Sequence, residues 1–504
     1  MFIQLNHPFV ILLTISFSLL ILKIPRATAG PTVELGYATY EGTFDDMSSI
    51  TQFLGMRYAA PPTGDLRWRP PQAPQHVDGV QQATSQPPMC PQAGWWGHAK
   101  SRPSFMKGER TTEKASLLDV YTHGDFQAQS YDLKPVLVWI HGGGYASNSA
   151  TGMLGTDVWD GKYPLTRAKG NLVIVVVQYR LGMYGFLAGK EVHAGGSANA
   201  GLQDQQFSLR WVQEHIHKFG GNPSDVTIWG VSAGAGSVYQ HVMANDGKTT
   251  PALFNTAVTS SAFVPPHCDN LDCLRKVDTI TLQRLNANMG VSTFSGTYTF
   301  TPVVDGTLIK QATASALAKG KVNGNHLLSV ANANEGQLFV NVFSTEDSMI
   351  DVAFYLRNVW PRLQDDEIER ALKLYADLTP IKKASAILAE VVVAEFAVDN
   401  ALHGFDIGYY FPDLNQVFPK TYNNSVFDSA FASTFTDFAL AKDPNVKVAE
   451  DVTPAWAPWS ADAPFEMVFN KTEDGVPDVR AASTDKRLLE RCDFWQSIAP
   501  SVGQ

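Results

Sequence analysis

One stretch constrains the fold of this chain more than any other: VTIWGVSAGAGSVYQHV, from Val226 to Val242. Val226 to Trp229 is a β-branched and aromatic run, the composition of a strand. Ala233 to Val242 is small and apolar and reads as a helix. Between them, GVSAG (Gly230 to Gly234) has the G-x-S-x-G spacing of a strand–turn–helix elbow that presents a serine. The chemistry explains these residue types. A serine hydroxyl is a poor nucleophile until a base takes its proton, and a substrate must be able to reach it. Glycine is needed where strand and helix approach closely, and the helix points its first amides at the reacting oxygen. The plain alternative is a glycine-rich turn whose serine caps the helix.

A second motif argues against that alternative. PVLVWIHGGGY, Pro135 to Tyr145, is an apolar strand that runs into three glycines. Such a turn exposes backbone N–H groups to a developing oxyanion, alongside the amide that follows the nucleophile. The donors expected by this logic are Gly143, Gly144 and Ala233.

The chain resembles the type-B carboxylesterase/lipase family, most closely the secreted fungal carboxylesterases. The likeness is carried by FLGMRYAAPPTGDLRW (Phe53 to Trp68), VVVQYRLGMYGFLA (Val175 to Ala188) and NAGLQDQQFSLRWVQEHIHKFGGNPSDVTIWG (Asn199 to Gly230). It continues in TPVVDG (Thr301 to Gly306) and RCDFW (Arg491 to Trp495). The resemblance implies an α/β class chain with the α/β-hydrolase fold: a large, mostly parallel central sheet flanked by helices, with long insertions. It implies serine ester hydrolysis without a cofactor.

Alternating strand and helix patterns without a clear linker argue for one α/β domain over residues 30–504. At 44% hydrophobic and 17% charged residues, the chain is globular and not disordered. Phe9 to Leu22 is an apolar run too short to span a bilayer, followed by the small-x-small pattern Ala27-Thr28-Ala29. Residues 1–29 therefore read as a signal peptide and the product as secreted. A signal anchor is the alternative, because no Lys or Arg precedes the apolar run. No stable membrane insertion is expected once the signal is cleaved.

In an oxidising compartment Cys268 and Cys273, close in HCDNLDCLRK, are expected to form a small loop disulfide. The resemblance also places Cys273 at a family disulfide position. Cys90 resembles half of a second family bridge whose partner position holds Ala115. Cys90 unpaired and Cys90 joined to Cys492 both stay open. Asn423 and Asn470 begin N-x-S/T acceptors for glycosylation. No metal-ligand spacing occurs. The formal charge of −10 disfavours nucleic acid and anionic membranes as non-specific partners.

A serine nucleophile on this fold needs an acid and then a histidine, in that chain order. HLLSVANANEGQLF (His326 to Phe339) is an apolar strand followed by a polar turn. Glu335 stands at the strand's end, where α/β sheets place their sites, and matches the family's acid. His241 lies nine residues beyond Ser232, roughly 13 Å along a helix and out of reach. His215 and His217 read as the solvated side of the preceding helix, and His141 belongs to the donor loop. His267 and His326 precede Glu335. His403 follows it, in HGFDIGYYF, which resembles the family's His-Gly-x-acid stretch with Asp406 as the acid.

The catalytic set expected is thus Ser232, Glu335 and His403. Three departures from the family stand out. Many members carry Glu before the nucleophile, where this chain has Val231. The Ser232–Glu335 and Glu335–His403 intervals are also short, each by about a helix and its loop. A shortened product and a genuine compact variant both remain open. The function expected is hydrolysis of neutral acyl esters, with small-molecule or lipid esters as partners and the oligomeric state open. One alternative is a secreted lipase working at a lipid–water interface, with Trp95, Trp96 and Phe105 near its entrance. The other is a catalytically silent binding protein on the same fold.

Overall fold

The apolar strands of the sequence assemble at the centre of an eleven-stranded sheet. The structure, a computed structural model, describes residues 30–93, 111–114, 116–124, 132–152, 158–262, 282–283, 286–287, 289, 297–340, 351–388, 394–416 and 418–502. In chain order its strands are β1 (Thr32–Glu34), β2 (Thr39–Glu41), β3 (Thr43–Asp45), β4 (Ile50–Arg57), β5 (Val80–Gln82), β6 (Leu117–His123) and β7 (Lys134–Ile140). Then come β8 (Val173–Val177), β9 (Gly221–Val231), β10 (Thr256–Ser260), β11 (His326–Asn332), β12 (Ala394–Phe396), β13 (Phe465–Lys471) and β14 (Pro477–Ser483). β1, β2 and β5 form a small sheet of their own, while the others run in the order β14-β13-β12-β11-β10-β9-β7-β8-β6-β4-β3. Neighbours from β8 across to β13 pair in parallel, and both flanks are antiparallel.

Why the middle strands are so uniformly apolar follows from their position. Helices cover both faces, so both sides of each strand are buried. Side chains alternate between the faces. Val136, Val138 and Ile140 of β7 pack with Leu202 and Leu209 of helix α1 (Ala200–His215) and Val238 of helix α2 (Ala233–Gly247). Leu137 and Trp139 point the other way and join Phe427, Phe431 and Phe435 of helix α3 (Ser425–Ala441). There the Trp229 ring stacks on Phe435 at 4.9 Å. Burying each such ring contributes roughly 2–3 kcal/mol. Asn424 caps α3 by accepting from the Val426 and Phe427 amides, which satisfies donors the helix itself cannot.

Strand order determines where a site can form. β7, β9, β11 and β12 run in one direction, so their C-terminal ends lie along one edge. Gly142, Ser232 and Glu335 each follow one of these ends within three residues, and His403 follows β12 by seven.

Several expectations are corrected or fall outside these residues. His215 is buried and not solvated; its ring packs against Tyr37 and Trp211. His217 is exposed, as expected. α2 runs past Val242, but its backbone leaves helical geometry at Ala244, Asn245 and Asp246. Cys90 lies in the core cluster of β7, whereas Cys492 sits on the helix Lys486–Ser497, and the two are not joined to each other. Residues 1–29, Trp95, Trp96, Phe105, Cys268 and Cys273 lie outside the described residues. Among the described residues, no helix is long and apolar enough to cross a membrane.

Candidate active site

Ser232 occupies the turn between β9 and α2 with φ 56° and ψ −123°, a sparsely populated backbone for a residue with a Cβ. The turn is held from both sides: the Ser232 amide donates to Ser260 O at 2.9 Å, and Ser232 O accepts from the Gly236 amide at 2.9 Å. Gly234 explains its own place in the motif. A Cβ there would overlap Ile140 O and stand 2.8 Å from His141 O, both backbone atoms that cannot move aside.

His403 lies on the turn after β12, its side chain 14% exposed. Its Nε2 is 2.8 Å from Ser232 Oγ, and its Nδ1 is 2.5 Å from Glu335 Oε2. A carboxylate only accepts, so Nδ1–H donates to Glu335 and Nε2 is left to accept the serine proton. The Phe339 ring packs edge-on against the imidazole at 4.8 Å. The short intervals in the sequence do not keep these three side chains apart.

Glu335 is buried, and burial alone would raise its pKa. The charge and hydrogen bond of His403, with bonds from Ser261 and the Asn332 amide, outweigh that and hold it below the ordinary carboxylate value. Its Oε1 accepts from the Asn332 backbone N–H at 2.6 Å and from Asn332 Nδ2 at 2.9 Å. Asn332 Nδ2 also lies 2.9 Å from Asp406 Oδ1 and 3.0 Å from Ser261 Oγ. Two amide hydrogens thus face three acceptors and cannot serve all at once.

Asp406 behaves differently from its neighbour. Burial, then the charge of Glu335, pushes its pKa up to about 6, against the pull of Tyr410, Asn332 and His403. Two nearby carboxyls are driven apart, so Glu335 ionises first and Asp406 only at higher pH. A stability consequence follows, with its sign. The folded value lies above the ordinary aspartate value of 3.8, so this group's contribution is full below pH 3.8 and lost as pH rises through 6. Asp406→Asn lacks that loss. Its stability relative to the wild type is expected to improve by about 2 kcal/mol between pH 4 and 7, read by urea unfolding at both pH values. A difference that is flat with pH would contradict this account.

The glycine turn after β7 completes the site. Gly143 and Gly144 have φ 106° and 62°. Among the described residues no acceptor takes the N–H groups of Gly143, Gly144 or Ala233. His141 braces this loop: its ring stacks on Tyr179 at 4.4 Å and its Nδ1–H donates to Gly142 O at 2.9 Å. Burial takes the His141 pKa down to about 4, which keeps the ring neutral near pH 7. The Tyr298 ring lies directly over Gly144.

A relay of serine, histidine and carboxylate close to a glycine turn is equipped for acyl transfer. A family model described as the carboxylesterase family matches residues 29–267. The crystal structure of EstA from Aspergillus niger superposes with a TM-score of 0.78 at 27% identity, covering 94% of this chain and 99% of that one. Over these matches the chain is similar to the carboxylesterase family. Its mostly parallel sheet, flanked by helices, is the α/β-hydrolase fold. Among curated relatives, a secreted lipase of Arthroderma benhamiae is 25% identical over 86% of this chain and 92% of its own. The acetylcholinesterase of Electrophorus electricus is 30% identical over 68% of this chain, which spans 58% of that enzyme.

The structure joins Ser232, His403 and Glu335 by hydrogen bonds; Ala233 follows Ser232 at the start of α2, and Gly142, just before Gly143 and Gly144, lies against Ser232. Sequence reasoning missed Ser261 and Asn332. Both lie at or just past the C-terminal ends of β10 and β11, and that position is the signal that could have found them.

Proposed function

We propose that this chain hydrolyses carboxylic esters through an acyl-enzyme on Ser232. The hydrogen-bonded line from Ser232 Oγ through His403 to Glu335 at the elbow carries the reading. His403 Nε2 takes the hydroxyl proton as Ser232 Oγ attacks the ester carbonyl. The oxyanion is met by the amides of Gly143, Gly144 and Ala233. His403 passes its proton to the departing alcohol. It then takes one from water, whose oxygen adds to the acyl carbon, and returns it to Ser232 Oγ as the acyl bond breaks and the acid leaves. Glu335 holds the imidazole in the required tautomer and stabilises its charged form.

Neutral esters are the substrates this site suits. Val231, buried beside the nucleophile, offers no charge where many family members carry a glutamate, and an unpaired cation buried there would lose hydration without compensation. The secreted lipase among the relatives favours a second reading, action on lipid esters at an interface. That relative and the pattern of residues 1–29 support secretion. Asn423 is exposed and Asn470 is half-buried on β13, which makes Asn423 the more accessible glycan acceptor.

An organophosphate is expected to label Ser232 stoichiometrically and to leave Ser232→Ala unlabelled, by peptide mass. Neutral esters should be turned over with higher kcat/KM than choline esters of the same acyl group. Rates measured below and above substrate solubility separate esterase from lipase action. A folded protein that takes no label and turns over no ester would instead be the silent binding protein.

A further inference from the structure

In a trans peptide the carbonyl oxygen of one residue and the N–H of the next point to opposite sides, so whatever holds the oxygen also aims the hydrogen. The glycine turn contains two such peptides whose N–H groups the catalytic reading assigns to the oxyanion, and they are held by different means. Gly143 O accepts from the backbone amides of Ala146 and Ser147, both at 3.0 Å, and from Ser147 Oγ at 3.1 Å. Those bonds aim the Gly144 N–H, chiefly through main chain. Gly142 O, which aims the Gly143 N–H, accepts from His141 Nδ1–H at 2.9 Å and, among the described residues, from no other group.

The glycines explain why a side chain is needed there. A Cβ on Gly142 would stand 2.5 Å from Val231 O and 2.9 Å from Ser232 Cβ, and one on Gly143 would overlap Ser147 O. Neither position admits a side chain, and Gly143 has φ 106°. Glycine adopts either sign of φ about equally, so a peptide between two glycines turns over easily. Turned over, it would offer the oxyanion a carbonyl oxygen in place of an N–H.

His141 is itself held in place. It is fully buried, its ring stacked on Tyr179 at 4.4 Å, and the Tyr179 hydroxyl donates to His141 O at 2.7 Å. The ring is neutral near pH 7 and has one N–H, which the Gly142 carbonyl assigns to Nδ1. Its Nε2 is buried with no partner among the described residues. An unpaired buried nitrogen is a cost that a phenylalanine stacked on Tyr179 would not carry. The ester chemistry uses no atom of this ring.

We propose that His141 is a positioning residue that locks the Gly142–Gly143 peptide with its N–H toward the oxyanion. This rests on the catalytic reading above and adds to it. Without the lock a donor is lost to the transition state, while binding of the uncharged ester changes little.

The test compares His141→Asn, His141→Gln and His141→Phe in the full chain, with rates expressed per organophosphate-titrated site. The amide nitrogen of asparagine falls where Nδ1 was, and that of glutamine where Nε2 was. Packing alone favours glutamine and phenylalanine, which fill more of the space against Tyr179; donor geometry favours asparagine. His141→Gln and His141→Phe are each expected to lower kcat roughly 10²- to 10³-fold, the cost of one oxyanion donor, with KM changed less than about three-fold. His141→Asn should recover most of kcat. A trifluoromethyl ketone, which forms a tetrahedral adduct on Ser232, should bind His141→Gln more weakly by the same factor as kcat/KM falls. Either of the two slow variants decides the matter if the other fails to fold. Wild-type kcat in His141→Gln or His141→Phe, or a His141→Gln protein no slower than His141→Asn, overturns the inference and leaves the catalytic reading intact. A wild-type protein that takes no label overturns both.

Discussion

Ser232→Ala and His403→Ala are each expected to lower kcat by roughly 10⁴- to 10⁶-fold, and the double variant to be little worse than either. The non-additivity follows from the geometry. Ser232 Oγ and His403 Nε2, 2.8 Å apart, carry out one proton transfer between them, so losing either partner abolishes the whole step. What remains after both changes is binding and the oxyanion donors, which roughly retain 10³–10⁴ over water. The fold should survive. Ser232→Ala keeps a Cβ at the same strained backbone, and His403 contacts Phe339 near the surface edge of the sheet without entering either large core cluster. Initial rates in purified, folded variants check this. A His403→Ala protein within ten-fold of wild type would remove His403 from the mechanism.

The parts of this site that were legible in sequence share a physical reason. Strands buried on both faces must be apolar throughout, so PVLVWI and VTIW announced β7 and β9, and the glycines after them marked where backbone had to pass closely. Glu335 and His403 could be read because chain order and strand ends restrict where a relay can form. Ser261 and Asn332 could not, because their meaning depends on β10 and β11 lying side by side, with Ser260 opposite Val330. Those two side chains meet across 71 residues of sequence. His215 went wrong for a similar reason. Its helix ends in a mixed polar and apolar run, but Tyr37, from the far N-terminal part of the chain, covers that face. Asp406 was visible as a motif position, whereas its raised pKa needed Glu335 as a buried neighbour.

Gly144→Ala is expected to lower kcat roughly 10²- to 10³-fold, the range seen when one oxyanion donor is lost. Two causes combine at this position. A φ of 62° strains any residue with a Cβ by about 1–2 kcal/mol, and the new methyl would overlap the Tyr298 ring. Overpacking of this kind typically costs about 1–3 kcal/mol. The loop can relieve it by rotating the Gly143 and Gly144 amides away from the oxyanion. Gly142→Ala meets different atoms: its Cβ would lie 2.5 Å from Val231 O and 2.9 Å from Ser232 Cβ. There the nucleophile's own backbone must move. The two variants should therefore respond differently to a second change. Tyr298→Ala removes the ring, so the Gly144→Ala/Tyr298→Ala protein should recover activity relative to Gly144→Ala, with the φ strain remaining. The same second change should do nothing for Gly142→Ala, because the Tyr298 ring is not among the atoms its Cβ meets. Kinetics of the four variants against Tyr298→Ala alone provide the check. Equal recovery in both backgrounds, or in neither, would show that the Tyr298 ring does not control the donor loop.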